Sequence, residues 1–283
     1  MTTIASSPRS QQDYVLGVHD TEIARLGLQH RAWRARALGL WRKAGLRAGA
    51  RVLDFGCGPG YASLDLAEIV GPAGAVLAVD RSSAFLARLS TEATARALSQ
   101  ISPREADLMI PDLDLAADFG QVDFAWARWI FAFTPELDRA LDNFTAALAP
   151  GGMAAITEYI TYNTWGFLPA EPVIADFCAS VMQSWRARGG EPDVAGRVVA
   201  GLIARGFEVQ LIEPALEIIT QSDPLWDWPE SFIRSNVPRL VELGDMSETA
   251  AQNVLAAWEA ASARPQTRMI TPLTAQILAK KPR

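Results

Sequence analysis

The stretch RVLDFGCGPGYASLDLAEIVGPAGAVLAVD, residues 51–80, restricts what this chain can fold into more than any other part of it. An apolar strand pattern, RVLDF, runs directly into three glycines at alternate positions, Gly56, Gly58 and Gly60, and a helical pattern follows at residues 61–70. A second apolar strand pattern, AVLAVD, then closes on a lone acid, Asp80. Glycine tolerates positive φ and lets a ligand touch the main chain. The helix behind it offers unpaired N–H groups and the positive end of its dipole. A carboxylate about 20 residues past such a loop is where doubly wound folds hold a ribose diol. The stretch therefore predicts two parallel strands joined through a helix, with a seat for a nucleoside-containing ligand.

The rest of the chain continues the alternation. Residues 21–45 carry apolar side chains at helical spacing (Ile23, Leu26, Trp33, Ala37, Leu40, Trp41). A helix is expected over 83–100, a third strand ending near Asp107, and a fourth over 122–133. A helix with proline at its start and glycines past its end follows, then a fifth strand over 153–160. Strand–helix alternation with right-handed crossovers gives a doubly wound sheet. The rhythm breaks at 161–190 and again at 222–265, and both read as insertions into one domain. Between them lie a helix and a strand, and a last strand over 268–282 ends the chain.

The dinucleotide fingerprint wants a third glycine or alanine where this loop has Tyr61. The pattern D-x-G-x-G-x-G from Asp54 instead resembles motif I of the class I S-adenosylmethionine-dependent methyltransferases. AVD at 78–80 resembles their ribose-binding acid, ADL at 106–108 their adenine-binding acid, and LAPGG at 148–152 the turn before their fifth strand. The last strand resembles their antiparallel seventh. The N-terminal YVLG…EIARLGLQH resembles the cofactor lid of the ubiquinone-biosynthesis-like small-molecule group.

The resemblance implies a Rossmann-like methyltransferase fold, α/β, with a doubly wound, mostly parallel seven-stranded sheet and helical lid insertions. Residues 1–45 would be N-terminal lid helices and 46–283 the methyltransferase domain. The cofactor would be S-adenosylmethionine. The loop Gly56, Cys57, Gly58 and Gly60 would face its methionine part, with Ala127 and Arg128 nearby. Asp54 would order the loop or meet the amino group. Asp80, with Arg81 beside it, would take the ribose, and Asp107 with Leu108 the adenine edge. Tyr14 and Gln29 would reach its carboxylate end.

Aromatics crowd the exits of the fourth and fifth strands, where open α/β sheets bind ligands. They predict an acceptor pocket lined by Trp129, Tyr159, Tyr162 and Trp165, for a small, aromatic or apolar methyl acceptor. The catalytic group is not identified by the sequence; Tyr159, Tyr162 and His19 are the candidates to take or orient a proton. Alternation puts Glu158 and Tyr159 on opposite faces, so only one of them should reach the pocket. His30 reads equally as a satisfied core histidine or a pocket wall.

Net charge −6 argues against nucleic acid and against anionic membrane. No apolar run is long enough for a membrane span. Two cysteines and two histidines give no disulfide framework and no metal cluster, and point to the cytoplasm. The remaining alternatives are an NAD(P)-dependent oxidoreductase on the same sheet, and a non-catalytic protein that binds the cofactor. Tyr61 and the LAPGG turn count against the first.

Overall fold

The computed structural model describes residues 20–283. Tyr14 and His19 lie outside the described residues. A helix, α1 (Asp20–Lys43), precedes the first strand. The alternation then runs β1 (Arg51–Phe55), α2 (Tyr61–Val70), β2 (Ala75–Asp80), α3 (Ser83–Ala95), β3 (Ile101–Glu105), β4 (Val122–Arg128), α4 (Leu137–Ala146) and β5 (Leu148–Thr161). A short strand β6 (Gly166–Leu168) and helices α5 (Pro172–Ala187) and α6 (Ala195–Ala204) lead to β7 (Glu208–Ala215) and β8 (Ile218–Ile219). Helices α7 (Asp227–Glu242) and α8 (Glu248–Ser262) follow, then β9 (Arg268–Ile270) and β10 (Leu273–Lys280).

Seven strands form one sheet in the order β3-β2-β1-β4-β5-β10-β7, with β10 antiparallel to both neighbours. The expected antiparallel last strand, inserted between the fifth and the next, is present. The central strands are apolar on both sides because helices cover both faces. Along β1, Val52 packs with α1 and α2, while Leu53 and Phe55 pack on the opposite face with Phe131 and Phe144. The same alternation turns Asp54 toward α2.

Several boundaries differ from the sequence expectation. The third strand stops at Glu105, two residues before Asp107, where a turn begins with the Met109 N–H donating to Asp107 Oδ1 (3.0 Å). The fourth strand ends at Arg128, and a single 3-10 turn (Phe131–Phe133) takes up the rest. The LAPGG segment is not a free turn. It is absorbed into β5 as a register shift, with Val122 opposite Leu148 but Phe124 opposite Met153. The expected single last strand is two. Pro272 separates β9 from β10, and β9 joins β6 and β8 in a second, three-stranded antiparallel sheet. Pairings this short carry no periodicity that a sequence can show.

Candidate functional site

Every glycine of the loop has positive φ: 77° at Gly56, 54° at Gly58 and 85° at Gly60. Packing explains two of them. A Cβ on Gly56 would fall 2.0 Å from Ile130 Cδ1, and one on Gly60 would fall 2.3 Å from Leu89 Cδ1. At Gly58 a Cβ would meet nothing within 4 Å, and Gly58 lines the cavity. That position is a cradle for something other than the protein.

Two acids fix the loop. Asp80 is buried; its Oδ2 accepts from the Gly58 N–H (2.8 Å) and its Oδ1 from the Ser82 N–H (2.9 Å). One carboxylate thus ties the glycine loop to the start of α3. Each oxygen keeps further lone pairs for a donor from the cavity. Asp54 is buried below the loop and accepts from Ser63 Oγ (2.5 Å). Burial pushes its pKa up to about 6, against the pull of the Ser63 bond and of Arg128. Helix α2 starts at the loop with no side-chain cap, and Tyr61 and Ala62 of its first turn line the cavity.

Arg128, at the end of β4, also lines the cavity. Its Nη2 meets His30 Nδ1 at 3.2 Å, and its Nη1 is sealed from solvent without a partner among the described residues. Burial pulls its pKa down to about 10. His30 is a satisfied core residue: its Nε2 meets Asp65 Oδ2 at 3.0 Å. Burial lowers the His30 pKa. Burial would raise that of Asp65, but bonds from His30 and Arg34 hold it below the usual carboxylate range.

The other half of the cavity is aromatic. Trp129 stacks between Tyr159 (centroids 5.6 Å apart, 15° between planes) and Trp228 of α7 (5.5 Å, 11°). Trp129 holds φ 52°, rare for a bulky residue. Tyr162, Trp165, Trp185 and Phe232 complete the wall. Glu158 points away, fully buried, with Oε1 accepting from the N–H groups of Ile130 (2.8 Å) and Phe131 (2.7 Å). Strand alternation thus leaves Tyr159, not Glu158, at the cavity.

The roof joins α1 to α7. Arg25 pairs with Glu22 through both carboxylate oxygens (2.7 Å each) and donates to Gln29 Oε1 (3.2 Å). The same Gln29 oxygen accepts from Trp228 Nε1 (3.0 Å). The basic run from Arg25 to Arg47 predicts a solvated face, yet Arg25 is buried because it meets Glu22 one turn earlier and faces the cavity.

The structure brings together Gln29, Asp54, Gly56, Cys57, Gly58, Asp80 and Arg128 with Trp129, Tyr159, Tyr162 and Trp165 around one cavity. It places Gly60, Arg81, Asp107, Leu108 and Ala127 outside the cavity lining. Sequence reasoning missed Arg25, Trp185, Phe232 and Pro272. These come from segments distant in the chain, and no local signal marks them. Among the described residues, no group of three or more His, Cys, Asp or Glu side chains could hold a metal, and no helix is long and apolar enough to cross a membrane.

Residues 52–152 match a family described as a methyltransferase domain. The chain is 28% identical over 197 residues to nocamycin O-methyltransferase of Saccharothrix syringae, covering 64% of this chain and 69% of that one. It is 30% identical over 130 residues to demethylmenaquinone methyltransferase of Staphylococcus carnosus, covering 46% and 50%. The match therefore spans about half the length of the demethylmenaquinone relative. In fold it resembles a Haemonchus contortus phosphoethanolamine N-methyltransferase solved with S-adenosylhomocysteine, at TM-score 0.51 and 17% identity over 89% of this chain and 53% of that chain. The chain is an S-adenosylmethionine-dependent methyltransferase, and its strand order and glycine loop are similar to those of the class I group. S-adenosylmethionine is its cofactor, and the cradle at Gly58, the lone pairs of Asp80 and the unpartnered Arg128 Nη1 fit that molecule.

Proposed function

We propose that the protein transfers a methyl group to O, N or C of a small, aromatic or apolar molecule bound in the cavity that Trp129, Tyr159, Tyr162 and Trp165 line. One observation carries this reading. Tyr159, Trp129 and Trp228 stack on one another in the wall of the cavity that the glycine loop also lines, and the Tyr159 and Tyr162 hydroxyls make no hydrogen bond to any described residue. Aromatic rings at this offset favour another ring as a neighbour. The O-methyltransferase and demethylmenaquinone relatives support a small acceptor.

The bound cofactor supplies an electrophilic methyl on a sulfonium. The chain's task is alignment and exclusion of water. Trp129, Tyr159 and Tyr162 wall the acceptor side of the cavity. Burial raises the pKa of both tyrosines far above the ordinary phenol range, and Glu158 adds to this for Tyr159. Both stay protonated at neutral pH, so they donate hydrogen bonds to the acceptor and do not act as phenolate bases. Gly60, Arg81, Asp107, Leu108 and Ala127 keep their assignment around the cofactor's nucleoside and methionine parts within this reading. The division into residues 1–45 as lid and 46–283 as a domain with insertions at about 161–190 and 222–265 belongs to it too, supported by the Gln29–Trp228 bond across the roof. The two free, buried cysteines and the net charge of −6 support a cytoplasmic enzyme that does not act on nucleic acid.

The test is methyl transfer from isotopically labelled S-adenosylmethionine to a panel of phenols, enols and aromatic amines. Trp129→Ala and Tyr162→Ala are expected to lower turnover and leave S-adenosylmethionine affinity within about 3-fold. Wild-type turnover in both variants refutes the pocket.

A further inference from the structure

Glu158 sits on β5 with its carboxyl fully buried and outside the cavity lining. Its Oε2 is sealed from solvent without a partner among the described residues. An aliphatic side chain would avoid the cost of burying that atom. What the carboxyl gains lies at its other oxygen. Oε1 accepts from two consecutive N–H groups, those of Ile130 (2.8 Å) and Phe131 (2.7 Å). The N–H just before them, on Trp129, donates to the Thr157 carbonyl (3.0 Å). Two neighbouring residues of β5 thus hold three successive N–H groups beyond the end of β4.

The backbone of that turn is shaped for such a guest. Trp129 is left-handed at φ 52°, and Ile130 is right-handed at φ −106° and ψ −47°. A left-handed residue followed by a right-handed one aims successive N–H groups into one concavity, which attracts an oxygen. Glu158 Oε1 fills it. A bulky residue at positive φ persists only when its surroundings over-determine it. The bonds to Glu158 and Thr157 supply that constraint.

The same turn carries both halves of the site. The Trp129 ring lies in the aromatic wall, stacked between Tyr159 and Trp228. The Ile130 side chain lies against the glycine loop, where a Cβ on Gly56 would fall 2.0 Å from Ile130 Cδ1. Phe131 stacks on Phe55 of β1, the strand that leads into the loop (centroids 6.0 Å apart). A relaxation of φ at Trp129 would draw its ring out of the stack and lift Ile130 from the loop.

We propose that Glu158 is a positioning residue: by filling the concavity of residues 129–131 it holds Trp129 in the acceptor wall and Ile130 against the glycine loop, so that one buried carboxyl sets the acceptor pocket and the cofactor loop together. This rests on the methyltransferase reading of the same site. Glu158 touches neither ligand and moves no proton. A neutral acid serves here as well as an ion does, because a carboxyl oxygen accepts in either form. Burial pushes its pKa up to about 8, so the neutral form prevails at pH 6.5.

Fluorine NMR of protein labelled with 5-fluorotryptophan, read at pH 6.5, tests the wall. The chain has nine tryptophans, and Trp129→Phe assigns the Trp129 signal. Calorimetry with S-adenosylhomocysteine tests the loop. Glu158→Met keeps the bulk and removes the acceptor. Its Trp129 signal is expected to shift or split, and S-adenosylhomocysteine to weaken by about 5- to 10-fold, what restoring one hydrogen bond on binding takes. Glu158→Asp, one methylene short of the turn, should change both readouts in the same direction. Glu158→Gln keeps an oxygen at Oε1 and matches the neutral acid, so it should retain the wild-type Trp129 signal and an affinity within about 2-fold. A role in stability alone would lower Tm and leave both readouts in place. A folded Glu158→Met or Glu158→Asp protein with the wild-type signal and affinity therefore overturns the proposal, whatever its Tm. A moved Trp129 signal with wild-type affinity overturns the link to the loop, and a weakened affinity with an unmoved signal overturns the link to the wall. Should neither variant fold, a folded Glu158→Gln protein that departs from wild type in both readouts overturns it. Wild-type protein that binds no S-adenosylhomocysteine overturns the methyltransferase reading instead, while the fluorine spectra still decide what Glu158 holds.

Discussion

Replacing Gly58 with alanine separates what the loop does for the fold from what it does for the ligand. Gly58 holds φ 54°, where an L-residue costs about 1–2 kcal/mol. A Cβ there meets no protein atom within 4 Å, so no packing penalty is added. The hydrogen bond from the Gly58 N–H to Asp80 survives the change. Gly58→Ala should therefore lower Tm by about 2–8 °C, given about 2–4 °C per kcal/mol in a chain of this size. Gly56→Ala is the internal control. Its φ is 77°, and its Cβ would sit 2.0 Å from Ile130 Cδ1. Overpacking adds about 1–3 kcal/mol to the backbone strain, so its Tm should fall further. The order reverses for binding. The methyl of Gly58→Ala projects into the cavity and should weaken S-adenosylhomocysteine by about 10-fold or more. Thermal melts and calorimetry on the two variants decide it. Wild-type affinity in folded Gly58→Ala protein would mean that the cofactor does not lie on this loop.

Asp80→Ala should weaken S-adenosylhomocysteine by about 10- to 100-fold and also lower Tm, because Asp80 holds the Gly58 and Ser82 N–H groups; an analogue lacking both ribose hydroxyls shares the loss from the loosened loop but not the loss of ribose contacts, so its affinity should fall less, and equal losses for the two ligands would refute ribose binding. Burial pushes the Glu158 pKa up from 4.5 to about 8, so folding takes up a proton between those values and this group's contribution to stability falls as pH rises through that window. Glu158→Gln should therefore gain on wild type from pH 5 to pH 8 and then level off in urea melts, and a pH-independent difference would refute the buried, protonated carboxyl.

Much of the framework is legible in the sequence because its signals are local. Helix α2 and strand β2 fall where periodicity places them, since buried strands read as apolar runs and glycine punctuates the turns. Asp54, Gly58 and Asp80 are found for the same reason: a loop that must present its backbone to a ligand cannot hide its glycines, and the acid follows at a distance set by one helix and one strand. The tertiary structure decides the rest. Whether His30 was core or pocket depends on Asp65 and Arg128, which lie 35 and 98 residues away. That Arg25 is buried depends on α7 closing over α1. The division of the last strand at Pro272 depends on β6 and β8, which supply its partners. The sequence by itself determined the doubly wound sheet and the cofactor loop, because those follow from chain-local sterics and hydrophobic pattern. The closed aromatic wall and the line from Arg34 to Arg128 arise only when distant segments pack, because charge partners and ring contacts are set by distance in space.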